Sequence, residues 1–157
     1  MSTLFLSRRL WLLGAGTLAV AGSACAQTRA APSIQVFKTP TCACCDGWIR
    51  HLRQAGFDTS VTVLPSLRSV RSSRGIPEAL ASCHTGLVGA YAVEGHVPAD
   101  DIKRLLRERP QAVGLAVPGM PLGSPGMETP DGQIQPYETL LVLADGRTRV
   151  FARHPSA

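Results

Sequence analysis

The apolar positions of this 157-residue chain change period along its length, and each change marks an element. Ile34 to Lys38 alternates as a half-buried strand does. Thr39-Pro40-Thr41 breaks the run as a turn with a capping threonine. From Cys44 onward Cys45, Trp48, Ile49, Leu52 and Ala55 recur at helical spacing, and Gly56 stops that helix. Ser60 to Leu64 reads as a second strand. Ser66 to Gly75 is basic and serine-rich, the pattern of a short exposed helix or loop. Ile76-Pro77-Glu78 opens a short helix through Ala81, and Leu87 to Val93 reads as a third strand. Pro98 to Arg109 is the next clear helix. Asp100 and Asp101 cap its first turn, Ile102, Leu105 and Leu106 form its apolar side, Arg107 and Arg109 lie at its end, and Pro110 stops it.

Pro118 to Pro136 has no period. It holds nine Gly or Pro in nineteen residues, with Met120 and Met127 among them. A loop of this length inside a compact domain is usually functional or disordered. A hairpin follows, from Thr139 to Leu143 and from Thr148 to Ala152, around a turn at Ala144-Asp145-Gly146-Arg147. The order predicts an α/β fold of thioredoxin-like type. It has a central mixed sheet, flanking helices and a long Gly/Pro/Met loop before the C-terminal hairpin. A strand that feeds a cysteine-bearing turn and then a helix is the arrangement of such folds.

The first 26 residues carry a different pattern. Arg8 and Arg9 precede an uncharged run from Leu10 to Ala21, and Ala24-Cys25-Ala26 offers a small-x-small cleavage site before Gln27. That is the pattern expected of an export signal, and its apolar run is shorter than the ~20 residues of a membrane span. "SRRLWLL" resembles a twin-arginine signal, with an ordinary secretory signal as the alternative. A lipid-bearing Cys25 ranks third, because Gly22-Ser23-Ala24 lacks a bulky aliphatic residue. The predicted organisation is a signal at 1–26, a lead at 27–33 and one domain at 34–154, periplasmic after cleavage and without stable membrane insertion. Cleavage takes two arginines from a net charge of only +5. No basic stripe with interleaved aromatics is present, so nucleic acid is not an expected partner.

Cleavage also removes one of five cysteines, leaving Cys42, Cys44, Cys45 and Cys83. In an oxidising compartment thiols pair, bind metal or turn over. Cys42 and Cys45 form a C-x-x-C pair at a helix start, where the dipole and free amides favour thiolate. Cys44 complicates a plain redox pair, because a third thiol invites scrambled bonds. A Cys₄ zinc site is conceivable, but adjacent Cys44 and Cys45 diverge. Cu(I) accepts few ligands, tolerates bridging sulfur and accepts thioethers such as Met120 and Met127. His84 adjoins Cys83, and His96 follows the third strand, where loop residues meet ligands. His51 reads as a helix-surface residue, His154 as tail, and Trp48 and Ile49 as core. There is no GxSxG, HExxH or phosphate-binding glycine loop.

Three stretches carry a family likeness: "VFKTPTCACCDGWIRHLRQAGF", "IPEALASCHTGLVGAYAVEGHVPADDIKRLL" and "AVGLAVPGMPLGSPGME". Together they resemble the CopG-type periplasmic copper-resistance proteins of bacteria, formerly a domain of unknown function, over about residues 34 to 152. The resemblance implies a thioredoxin-like fold and a cysteine-rich copper site with redox activity. It carries the family's cysteines onto Cys42, Cys44, Cys45 and Cys83, and its methionine loop onto Met120 and Met127. One departure is Ala43, where such proteins usually have glycine. The expected metal-binding set is those six residues with His84 and His96. The expected cofactor is copper as Cu(I), and the partners are copper ions and other periplasmic copper-handling proteins. The alternatives are a thiol–disulfide oxidoreductase using Cys42 and Cys45, and a small structural zinc or disulfide-bonded module.

Overall fold

A computed structural model describes residues 31–154. The predicted signal at 1–26, and most of the lead at 27–33, lie outside the described residues. The described residues form one mixed seven-stranded sheet and three α-helices. The elements run β1 Ser33–Lys38, α1 Cys44–Gln54, β2 Asp58–Val63, α2 Arg68–Arg74, a 3-10 turn Glu78–Leu80, β3 His84–Val88, β4 Tyr91–Gly95, α3 Ala99–Glu108, β5 Gly114–Val117, β6 Tyr137–Val142 and β7 Thr148–His154. The strand order is β2-β1-β3-β4-β5-β6-β7. β1 with β2 and β4 with β5 are parallel, and every other pair is antiparallel.

The core follows from the two periods. On one face Ile34 and Val36 of β1, Val93 of β4, Leu115 and Val117 of β5 and Leu141 of β6 meet Trp48, Ile49 and Leu52 of α1 and Ile102 and Leu105 of α3. Each large side chain buried there contributes roughly 1.5–3 kcal/mol. The other face is thinner. Ile76, Ala92, Ala116 and Val142 form its apolar cluster beneath the α2 side of the chain.

Two sequence expectations change, and one strand is new. Leu87 to Val93 is not one strand. Gly89, at φ 57°, makes a tight turn with Ala90, so the segment is the middle of the β3–β4 hairpin. β5 had no expectation attached to it, since four residues are too few to show a period. Thr41 does not cap α1: the N-cap is Ala43, with no side-chain cap bond.

The long loop from 118 to 136 has no regular element, as its composition predicts; its 121–127 stretch is packed, with Ser124 and Pro125 buried, while 130–136 is exposed. Gly126, at φ 88°, lies on the first turn of α1. A Cβ on Gly47 would stand 2.7 Å from Gly126 Cα. A glycine inside a helix normally gains about 1 kcal/mol when replaced by alanine. Here Gly47→Ala is expected to lose about 1–3 kcal/mol through overpacking against backbone. Denaturant unfolding of the two proteins checks the sign, and a stabilised variant would show that the loop does not press on α1.

Candidate metal centre

The centre is built where β1 ends. A backbone turn from Cys42 N–H to the Thr39 carbonyl (3.3 Å) leads into α1. Lys38 Nζ bonds Asp46 Oδ1 at 2.6 Å and ties the last residue of β1 to the first turn of α1. Between them lie the three cysteines. Cys42 and Cys45 form a disulfide, and Cys44 is free and partly exposed. Ala43 sits at φ −72°, ψ −38°, ordinary helical backbone. Alanine in place of glycine therefore costs nothing there.

The fourth cysteine arrives from the other side of β1. The antiparallel register pairs Lys38 with His84, so Cys83 lies beside the turn that follows Lys38. Its Sγ is 3.5 Å from Cys44 Sγ and 3.9 Å from Cys45 Sγ, while Cys44 Sγ is 3.6 Å from Cys42 Sγ. Cys83 Sγ also meets His84 Nδ1 at 3.3 Å and His96 Nε2 at 3.5 Å. Two overlapping donor groups result, Cys42, Cys45, Cys83 and His84, and Cys44, Cys83 and His96. In each, the donor atoms lie within 4.8 Å of one another.

Surroundings fix the state of both imidazoles. The Pro125 carbonyl accepts from His96 Nδ1–H at 2.9 Å. A carbonyl only accepts, so the proton is on Nδ1 and the Nε2 lone pair faces Cys83. His84 lies between the Trp48 ring (4.3 Å) and His96, edge-on at 4.8 Å. Trp48 is itself held by a 2.8 Å bond from Nε1 to the Val97 carbonyl. Burial first, then the neighbouring His96, lowers the His84 pKa to about 3. Burial also lowers His96, against the Pro125 carbonyl and Glu128. Both rings are neutral near pH 7, the form that ligates. Burial, then the contact with Cys44, pushes the Cys83 thiol up to about 12. A metal taken up there must displace that proton.

The residues present fit a soft metal ion. The donors are sulfur and neutral nitrogen, with no carboxylate in either group. His84 Nε2 is buried without a hydrogen-bond partner among the described residues. The methionine loop is pinned beside the site. Ser82 Oγ donates to the Gly119 carbonyl at 3.1 Å, and Pro125 holds His96. Met120 is 53% exposed and Met127 partly buried.

Comparison with known proteins carries the reading further. Two solved structures, forms 1 and 2 of a copper resistance protein CopG, are 44% and 43% identical to this chain. They superpose with TM-scores of 0.74 and 0.75, covering 79% and 80% of this chain and 98% and 99% of theirs. The chain belongs to the CopG-type copper-resistance family. Residues 80–127 also match the family model described as protein of unknown function, DUF411. No curated protein matches the sequence. Among the described residues, no helix is long and apolar enough to cross a membrane.

As in the sequence reading, Trp48 and Ile49 belong to the core. Two histidines read as peripheral do more than that. His51 is half-buried, and its Nε2 accepts the Ala99 N–H at 3.0 Å, satisfying the open end of α3. His154 ends β7, stacks on Tyr137 and bonds Asp101 Oδ2 at 2.9 Å. Asp101 is thus a buried tertiary partner, also accepting from Thr139 Oγ1 at 2.6 Å, and not a helix cap. The Pro125 carbonyl is a contributor that no side-chain pattern announces.

The histidine shifts set a pH dependence. A native state that holds His84 below its ordinary 6.5 binds fewer protons than the unfolded chain. Stability is then lost as pH falls from about 6.5 toward about 3. The metal-free protein is expected to lose denaturation midpoint between about pH 7 and 5 more steeply than His84→Phe does. Equal slopes would mean that His84 is not held neutral by burial.

Proposed function

We propose that this protein is a periplasmic copper-binding protein that holds Cu(I) in a cysteine cluster and serves copper tolerance or handling. The observation that carries this reading is Cys83 Sγ, within 3.9 Å of Cys44 and Cys45 sulfurs and within 3.5 Å of two neutral imidazoles. Cys42, Cys44, Cys45 and Cys83 would hold the metal, with His84 and His96 as the nitrogen donors. Met120 and Met127 would act as thioether ligands on the overlying loop. Bridging thiolates supply a soft environment in which Cu(I) is favoured. The copper-resistance relatives support the choice of metal. Residues 1–26 are the export signal and 34–154 the folded domain. The strand order β2-β1-β3-β4, with α1 between the parallel strands β1 and β2, supports the thioredoxin-like reading.

Full use of the four sulfurs requires reduction of the Cys42–Cys45 bond, which takes two electrons and two protons to give two thiols. Copper loading is therefore coupled to the redox state of that pair. The same bond favours a second reading, a thiol–disulfide oxidoreductase using Cys42 and Cys45. Burial weighs against it: Cys42 is 7% exposed and Cys45 0%, whereas an exchanging disulfide must meet its partner's sulfur.

Titration of the reduced protein with Cu(I), and separately with Zn(II), tests the proposal. Roughly two or more Cu(I) per chain with weak zinc binding is expected of a sulfur cluster with soft donors. Cys44→Ser is expected to cut the copper bound while sparing a Cys42–Cys45 couple. Undiminished copper in that variant would sink the argument from the third thiol. Absence of metal binding, with a readily cycling disulfide, would favour the oxidoreductase.

A further inference from the structure

Glu94 of β4 is a fully buried carboxylate whose hydrogen bonds go to neither a sulfur nor an imidazole of the centre. It lies on the α2 face of the sheet, level with Ala116 of β5. Its Oε2 accepts from Thr85 Oγ1 at 2.6 Å, and Thr85 is its cross-strand partner. Its Oε1 accepts the Ser82 backbone N–H at 2.7 Å. Arg71 of α2 completes the group. Its Nη1 is 3.7 Å from the same carboxylate oxygen and donates to the Ser82 carbonyl at 3.5 Å. Arg71 Nη2 bonds Glu78 at 3.3 Å.

Three of these bonds land on the residues around Cys83. The Ser82 amide, the Ser82 carbonyl and the Thr85 hydroxyl are all held, and Ser82 Oγ is bonded to Gly119 of the overlying loop. Burying a charge here is expensive, and apolar residues would fill the same space without that cost. A satisfied polar network does offer fixed directions, which dispersion contacts do not. Cys83 needs them. It is not in a regular element, yet its sulfur must reach four donors at once.

We infer that Glu94 is a positioning residue for the metal centre: through Ser82 and Thr85, with Arg71 behind, it fixes the backbone from which Cys83 reaches Cys44, Cys45 and His96. This rests on the reading of the centre as a copper site, and it deepens that reading by naming what holds its shared ligand. Outer partners of metal ligands typically change affinity by about 10–100-fold when removed.

Two variants test it. Glu94→Leu removes both bonds, and Glu94→Gln keeps an acceptor for the Ser82 amide but not the charge facing Arg71. Two readouts are taken on folded protein. One is Cu(I) affinity by competition after reduction. The other is the relative alkylation rate of Cys83 and Cys44, resolved by mass spectrometry on metal-free protein with the Cys42–Cys45 bond intact. Glu94→Leu is expected to bind Cu(I) about 10-fold or more weakly and to raise the Cys83 to Cys44 ratio, with Glu94→Gln intermediate. A lower melting temperature with both readouts unchanged would overturn the proposal, since a merely structural carboxylate behaves that way. If Glu94→Leu fails to fold, Glu94→Gln and Thr85→Val, each removing one link, carry the same test. A wild-type protein that binds no Cu(I) would sink the functional reading alone. The alkylation ratio would still decide the role of Glu94.

Discussion

One register decides whether the centre exists. β3 runs antiparallel to β1 with His84 opposite Lys38, so the residue before β3 meets the residues after β1. That alone brings Cys83 to Cys44 across 39 positions of sequence. A slip of one residue would turn Ile34 and Val36 out of the core and carry Cys83 away from the turn. The register is therefore secured by hydrophobic burial that runs up to His84. Ile34, Val36 and Val88 are buried against α1, and the Trp48 ring lies under His84. Function at this end of the sheet depends on packing along the rest of it.

A second contact constrains the site from above. The loop from 118 to 136 would be costly to order on its own, since it has no ladder to satisfy its backbone. It is fixed by short-range bonds such as Met127 N–H to the Ser124 carbonyl at 2.8 Å, and by Gly126 seated on Gly47. Only glycines allow the two backbones to approach so closely. The return is a carbonyl at Pro125 that sets the His96 tautomer. Loop order and His96 orientation are thus one event, carried by the 121–127 stretch that packs on α1.

Much of this was legible in the residues, and the failures share a physical cause. Period and breakers located α1, α3 and the terminal hairpin within a few residues. The C-x-C-C turn, Cys83, His84 and His96 were recognisable because their chemistry is carried by side chains. Gly89-Ala90 was read through, since apolar residues on both sides hid a turn that only a positive φ reveals. The roles of His51, Asp101 and His154 depend on partners 38 to 53 positions away, and no local pattern carries that. Glu94 and the Pro125 carbonyl act through backbone atoms, which every sequence has.

The charge state of the pocket bears on which ion it suits. Burial holds His84 and His96 neutral and keeps Cys83 protonated, so the metal-free centre carries little charge into a low-dielectric space. No carboxylate in either donor group offsets an incoming cation. A monovalent ion that replaces a thiol proton leaves the net charge unchanged. A divalent ion on four thiolates would leave two negative charges buried, each costly without a partner. The same burial that raises the Cys83 pKa thus favours a monovalent ion over a divalent one in that space. The disulfide withholds Cys42 and Cys45, which leaves Cys44 and Cys83 as the free thiols among the described residues.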